Sequence, residues 1–96
     1  MYNLSFRPLA NNDIQEIVDY YDSLNPQLLE VFLKEFEEIV KHIQDMSKSY
    51  QKKLGDIRVA FLVCFSYGVY FKIYDREISI IAILHTGRNP KIWKKR

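Results

Sequence analysis

The sequence predicts an α+β domain in the order β-α-α-β-β-β, an antiparallel sheet covered on one face by an antiparallel helical hairpin. Three observations carry that reading. Residues 2–8 alternate apolar and polar side chains, the period of a half-buried strand. Two stretches with helical periodicity, residues 9–24 and 26–46, follow with a break of only a few residues between them. Three further alternating stretches, residues 57–65, 67–74 and 77–85, are joined by connections short enough for a meander. The 96 residues have the length of one domain, taken to span positions 1–96.

Each element has its local signals. In the first strand Tyr2, Leu4 and Phe6 alternate with Asn3, Ser5 and Arg7, and Pro8 ends it. Ile14, Ile17, Val18 and Tyr21 fall on one face of the first helix, which Asn11, Asn12 or Asp13 is expected to cap. Asp13 and Glu16 suit the positive end of its dipole. Asn25 is a good N-cap and Pro26 a good first residue for the second helix. That helix carries an apolar stripe from Leu29 through Phe32, Phe36, Ile39 and Val40 to Ile43. Residues 47–56 lose the period and read as a loop, with extended structure around 50–54.

The strands of the last third sort by parity. Tyr67, Val69, Phe71 and Ile73 share the core face, as do Ile78, Ile80, Ala82 and Leu84. The second face is then expected to hold Arg58, Ala60, Leu62 and Cys64, with Tyr70, Lys72 and Tyr74, and with Ser79, Ile81, Ile83 and His85. Cys64, the one cysteine, is expected to be a buried, inert thiol. His42 reads as a surface residue of the second helix.

Charge divides the chain. Residues 1–56 hold six Lys/Arg against ten Asp/Glu, a balance of −4, and residues 57–96 hold eight against two, a balance of +6. A local positive field of this kind attracts phosphate-rich partners even when net charge is small. No run of apolar residues reaches the length of a membrane span, and the start of the chain lacks the layout of a signal peptide. A cytoplasmic protein is expected. Neither glycine spacing nor the two distant histidines offers a nucleotide loop or a zinc site, so no metal or other cofactor is expected.

The candidate functional residues lie in the last third. His85 ends the last strand, and histidine is the residue type suited to acid–base work near neutral pH. Arg58, Lys72 and Arg88 are suited to phosphate, and Tyr70 or Tyr74 to stacking on a base. Lys91, Trp93, Lys94, Lys95 and Arg96 follow as cations interleaved with an aromatic. A metal-independent ribonuclease needs a base, an acid and cations for the phosphate, and Arg58, His85 and Arg88 are the candidate catalytic set. The structural alternative is a hydrogen-bonding His85 and a Trp93 that packs the tail on the sheet.

The same residues resemble the RelE/ParE superfamily, the toxins of type II toxin–antitoxin systems, which includes plasmid stabilisation proteins. The resemblance rests on Gly55, Ile57 and Arg58; Phe65 and Tyr67; Val69, Tyr70 and Phe71; Asp75; Ile80, Ala82 and His85; then Arg88, Pro90 and Trp93. Ala10, Asp13-Ile14 and Tyr20-Tyr21 extend it into the first half. Ser66 stands where the family commonly has proline, and Gly87 where it has the first of two arginines. No tyrosine follows Tyr74, and the motifs lean to the ParE-like branch. The resemblance implies a bacterial growth inhibitor neutralised by a cognate antitoxin. Its target is implied to be DNA gyrase, as for ParE-like members, which are not nucleases, or ribosome-bound mRNA, as for RelE-like members. The alternative is a decayed, non-toxic relative that only binds an antitoxin.

Overall fold

Pro8 ends one element and starts the next, because a fixed φ and a missing N–H suit the first position of a helix. In a computed structural model, which describes residues 2–86, strand β1 (Asn3–Phe6) stops there and helix α1 (Pro8–Leu24) begins. Arg7 occupies the N-cap and makes no side-chain cap bond, so the expected capping by Asn11, Asn12 or Asp13 does not occur. Pro8 starts the helix before any of them. Asn25 alone separates α1 from α2 (Pro26–Met46), and its side chain accepts from the Gln27 N–H at 3.0 Å.

A short 3-10 turn (Ser47–Ser49) leads to β2 (Lys52–Leu54), then β3 (Ile57–Phe61), β4 (Tyr67–Tyr74) and β5 (Glu77–His85). The sheet order is β1-β5-β4-β3-β2. β1 lies parallel to β5 and the other pairings are antiparallel, so the sheet is mixed, with β2 as a fifth strand. The parallel pair follows from the helical hairpin, which returns the chain to the far side of the sheet before the meander starts. Gly55 and Asp75 turn the two tight hairpins at φ 54 and 48, a left-handed conformation that glycine and aspartate tolerate.

The hairpin covers one face. Ala10 and Ile17 of α1 and Phe32, Phe36 and Ile43 of α2 join Ala60, Leu62, Val69, Phe71, Ile78, Ile80 and Ile83 in the main core. Phe32 is its hub, fully buried and within 6 Å, centroid to centroid, of the rings of Tyr21, Phe36, Phe65 and Tyr67. Rings at such separations add to the area they bury. A second cluster of Val59, Tyr70, Ile81, Ala82 and Leu84 lies on the opposite face, and strand residues alone supply its described members. Gly68 in β4 belongs to that face. A Cβ there would meet Val59 at 3.1 Å and the Phe61 ring at 3.3 Å, so a side chain at Gly68 would push both neighbours aside.

Two strands depart from the expected parity. In β5, Phe71 pairs with Ile80 but Tyr70 pairs with Ala82, so Ile81 is an extra residue, a β-bulge. Beyond it every side chain changes face. Ile83 joins the main core, Ala82 and Leu84 move to the second cluster, and His85 pairs with Tyr67 on the helix side. In β3 and just after it, Ala60 and Leu62 point at the helices and Val59 away from them, the reverse of the expected sorting. Arg58 is therefore on the helix side. Its guanidinium donates from Nη1 to the Lys48 and Tyr50 carbonyls at 3.2 and 2.6 Å, which is how a cation is accommodated there.

Side chains also finish hydrogen bonding where the ladder stops. β1 pairs with β5 only as far as Ile80. Past that point the Asp13 carboxylate accepts from the Ile83 N–H at 3.0 Å, with Asp13 itself only 8% exposed. Gln44 of α2 donates to the Tyr2 carbonyl, and the Tyr50 phenol is paired with Nδ1 of His42, which is exposed as expected. β3 ends at Phe61 rather than at residue 65, so Cys64 sits in a loop and is exposed, not buried. Its N–H donates to both Glu35 carboxylate oxygens at 3.2 Å. The charge of Glu35, with smaller contributions from burial and a hydrogen bond, pushes the Cys64 thiol up.

Two outcomes are expected. Asp13→Ala leaves a buried N–H without this acceptor and lowers stability by about 1–3 kcal/mol in urea unfolding, while Asp13→Asn, which keeps an oxygen there, loses less. At pH 8, Cys64 reacts with iodoacetamide more slowly than a free thiol, because the thiolate is the reactive form, and Glu35→Gln speeds it several-fold. Equal rates in the two proteins contradict the assignment of Glu35.

Candidate functional site

The bulge at Ile81 sets which residues can act together. His85, at the end of β5, faces the helices, and its ring meets Tyr67 edge to face at 5.5 Å. Tyr20 and Tyr21, packed edge to face at 5.1 Å on α1, stand opposite. With Asp13 and Glu16 these residues line a cleft of about 600 Å³ between α1 and the ends of β4 and β5. Asp13 is the floor and is tied to the Ile83 amide, whereas Glu16, Tyr20 and His85 are exposed at the rim.

The electrostatics of this cleft follow from α1. The helix carries Asp13, Glu16, Asp19 and Asp22 at three-residue spacing and no lysine or arginine. Carboxylates, phenols and an imidazole can hold a cationic or polar group through hydrogen bonds and ring faces. No lysine or arginine among the described residues lines the cleft.

The other expected site residues are elsewhere. Arg58 is bonded to the carbonyls of the 3-10 turn and its exit, at the β2–β3 end of the sheet. Tyr70 and Lys72 lie on the opposite face, Tyr70 only 6% exposed, and its burial pushes the phenol up. Lys72 stands over the Tyr74 ring, 5.1 Å from the centroid. The structure thus joins Lys72 to Tyr74 and His85 to Tyr67, but brings neither Arg58 nor Lys72 to His85. Arg88, Lys91, Trp93, Lys94, Lys95 and Arg96 lie outside the described residues. Among those described, no group of three or more His, Cys, Asp or Glu is placed to hold a metal ion.

Two sets of residues were not singled out from the sequence. Asp13 and Glu16 read as helix-dipole partners, yet they supply the acidic part of the cleft. Arg7 read as the polar end of an alternating strand. It donates from Nε to the Ser79 hydroxyl at 3.0 Å and from Nη2 to the Tyr74 hydroxyl at 2.7 Å, which brings it to the same place as Lys72. The available signal was its parity with Asn3 and Ser5, the polar face of β1.

Comparisons with known proteins bear on this arrangement. No curated protein matches the chain. A solved structure described as the chromosomal ParDE TA system from P. aeruginosa superposes with a TM-score of 0.76 at 22% identity, covering 88% of this chain and 96% of that one. At that identity the likeness establishes the fold. No helix among the described residues is long and apolar enough to cross a membrane. The family described as the ParE toxin of the type II toxin–antitoxin system, parDE, matches residues 4–90. That match covers nearly the whole sequence, and the chain belongs to the ParE toxin family of type II toxin–antitoxin systems.

Proposed function

We propose that this protein is a growth-inhibiting toxin, neutralised by a small antitoxin, that acts on DNA gyrase and does not cleave mRNA. The observation that carries the choice of target is the separation of His85 from Arg58 and Lys72. Transfer of a phosphoryl group in RNA cleavage needs a proton acceptor beside cations that stabilise the phosphate. Here the imidazole shares a cleft with two carboxylates, and Lys72 is on the other side of the sheet. Membership of the ParE family supports the same target, since ParE-like members act without nuclease chemistry.

The basic tail is the proposed contact with the target. Arg88, Lys91, Lys94, Lys95 and Arg96 bring five cations and no acid within residues 87–96, with Trp93 among them. A charge density of that kind binds polyanionic or acidic surfaces and loses affinity with salt.

Induction of the protein alone is expected to stop growth, with plasmid supercoiling perturbed and DNA damage signalling raised while labelled amino acids are still incorporated. Co-expression of the product of the adjacent reading frame restores growth. His85→Ala remains toxic, and changing the five tail cations to glutamine abolishes toxicity. Early arrest of translation with cleaved transcripts, lost in His85→Ala, would show a ribosome-dependent nuclease instead. No growth effect would leave a non-toxic antitoxin-binding module.

A further inference from the structure

A pair of cations on the open face of the sheet makes no ion pair among the described residues. Arg7 and Lys72 come from β1's exit and from β4, and Ser79 and Tyr74 bring them together. Arg7 donates to both hydroxyls, Lys72 stands over the Tyr74 ring, and Lys72 is the cross-strand partner of Ser79. No carboxylate among the described residues lies within ion-pair distance of either cation. Two positive charges gathered by neutral hydroxyls repel each other, and an anion between them removes that repulsion.

The site is built before anything binds. The Arg7 N–H donates to the Ile80 carbonyl at 3.0 Å, its own carbonyl accepts from Asn11 at 3.0 Å, and Pro8 fixes the next φ. Its Nε and one Nη2 hydrogen are spent on Ser79 and Tyr74, which leaves the end-on edge of Nη1 and Nη2 without a partner among the described residues. Ser79 and Tyr74 accept from Arg7 and so keep their own hydroxyl hydrogens to donate. A planar edge, an ammonium and two hydroxyls thus lie close together, donors suited to one small anion.

We infer that Arg7, Lys72, Ser79 and Tyr74 form a binding site for a carboxylate side chain of the antitoxin. This assignment rests on the toxin–antitoxin reading above. A carboxylate fits better than a nucleic-acid backbone for two reasons. A phosphate chain needs a track of cations, and here Arg7 and Lys72 are gathered at one point by Ser79 and Tyr74. Asp75 and Glu77 sit at the adjoining hairpin, with Glu77 the cross-strand partner of Tyr74, where a polyanion would meet like charge. The end-on edge of arginine accepts one carboxylate with two parallel hydrogen bonds.

The test measures binding of the purified protein to the product of the adjacent reading frame by calorimetry at two salt concentrations, with a duplex oligonucleotide as the second titrant. Arg7→Gln and Lys72→Gln are each expected to weaken partner binding by about tenfold to a hundredfold and to flatten its salt dependence. Circular dichroism checks that each variant is folded. Lys72→Gln keeps the test valid if Arg7→Gln unfolds, because the lysine head group makes no hydrogen bond among the described residues. Unchanged affinity and salt slope in the folded variants overturn the site. Loss of oligonucleotide binding with partner binding intact overturns the carboxylate assignment. Failure of the unsubstituted protein to bind the partner overturns the toxin–antitoxin reading and the assignment with it, a result distinct from the other two.

Discussion

The hydrogen bond from the Ile83 amide to the buried Asp13 carboxylate fixes the relation between α1 and the sheet. β1 is too short to cover the length of β5, so β5 has a free edge past Ile80. An unpaired buried N–H costs more than most single contacts contribute, and the helix that follows β1 supplies the acceptor. The bulge at Ile81 lies where β1 runs out, so the strand rotates just as its neighbour changes from a strand to a helix. The cleft, the position of His85 and the composition of both faces depend on that change.

The functional consequence is a division of labour between the faces. The helix side of the cleft is acidic and aromatic, and the open side carries Arg7 and Lys72 on hydroxyl supports. The basic half of the sequence is therefore not one basic surface within the described residues. Arg58 is spent on loop carbonyls, Lys72 faces away from His85, and the remaining excess charge lies in residues 87–96. An inhibitor that works by binding needs no base beside a phosphate, and this distribution suits it.

Much of the fold was legible because local signals agreed with one another. Asn25-Pro26 marks the start of α2, and the limits of β4 and β5 coincide with those read from alternation. What was not legible were the events that depend on a neighbour. A bulge has no signature in a run such as Ile80-Ile81-Ala82-Ile83, where every residue is apolar and any register buries a hydrophobic side chain. In β3 alternation alone assigns the charged Arg58 to the outward face, and the structure reverses that parity. A charged residue can face inward where carbonyls from a distant turn receive it, and the sequence does not show that turn. Alternation continues past Phe61 while the strand does not, which is why Cys64 is exposed in a loop rather than buried. The candidate site depends most on such events, because Arg58, Lys72 and His85 share a face only where the parity of β3 and β5 runs unbroken. Arg7 was passed over because only the β1–β5 pairing brings it to Ser79.

The central claim is that the bulge turns His85 to the helix side, away from the cations of the open face. Proton–proton nuclear Overhauser contacts from the His85 imidazole test it directly in the folded protein. The account predicts cross-peaks from the His85 ring to the Tyr67 ring, whose centroid is 5.5 Å away, and none to Tyr70 or Lys72. Cross-peaks from His85 to the side chains of Tyr70 or Lys72 would place it on the open face and contradict the account.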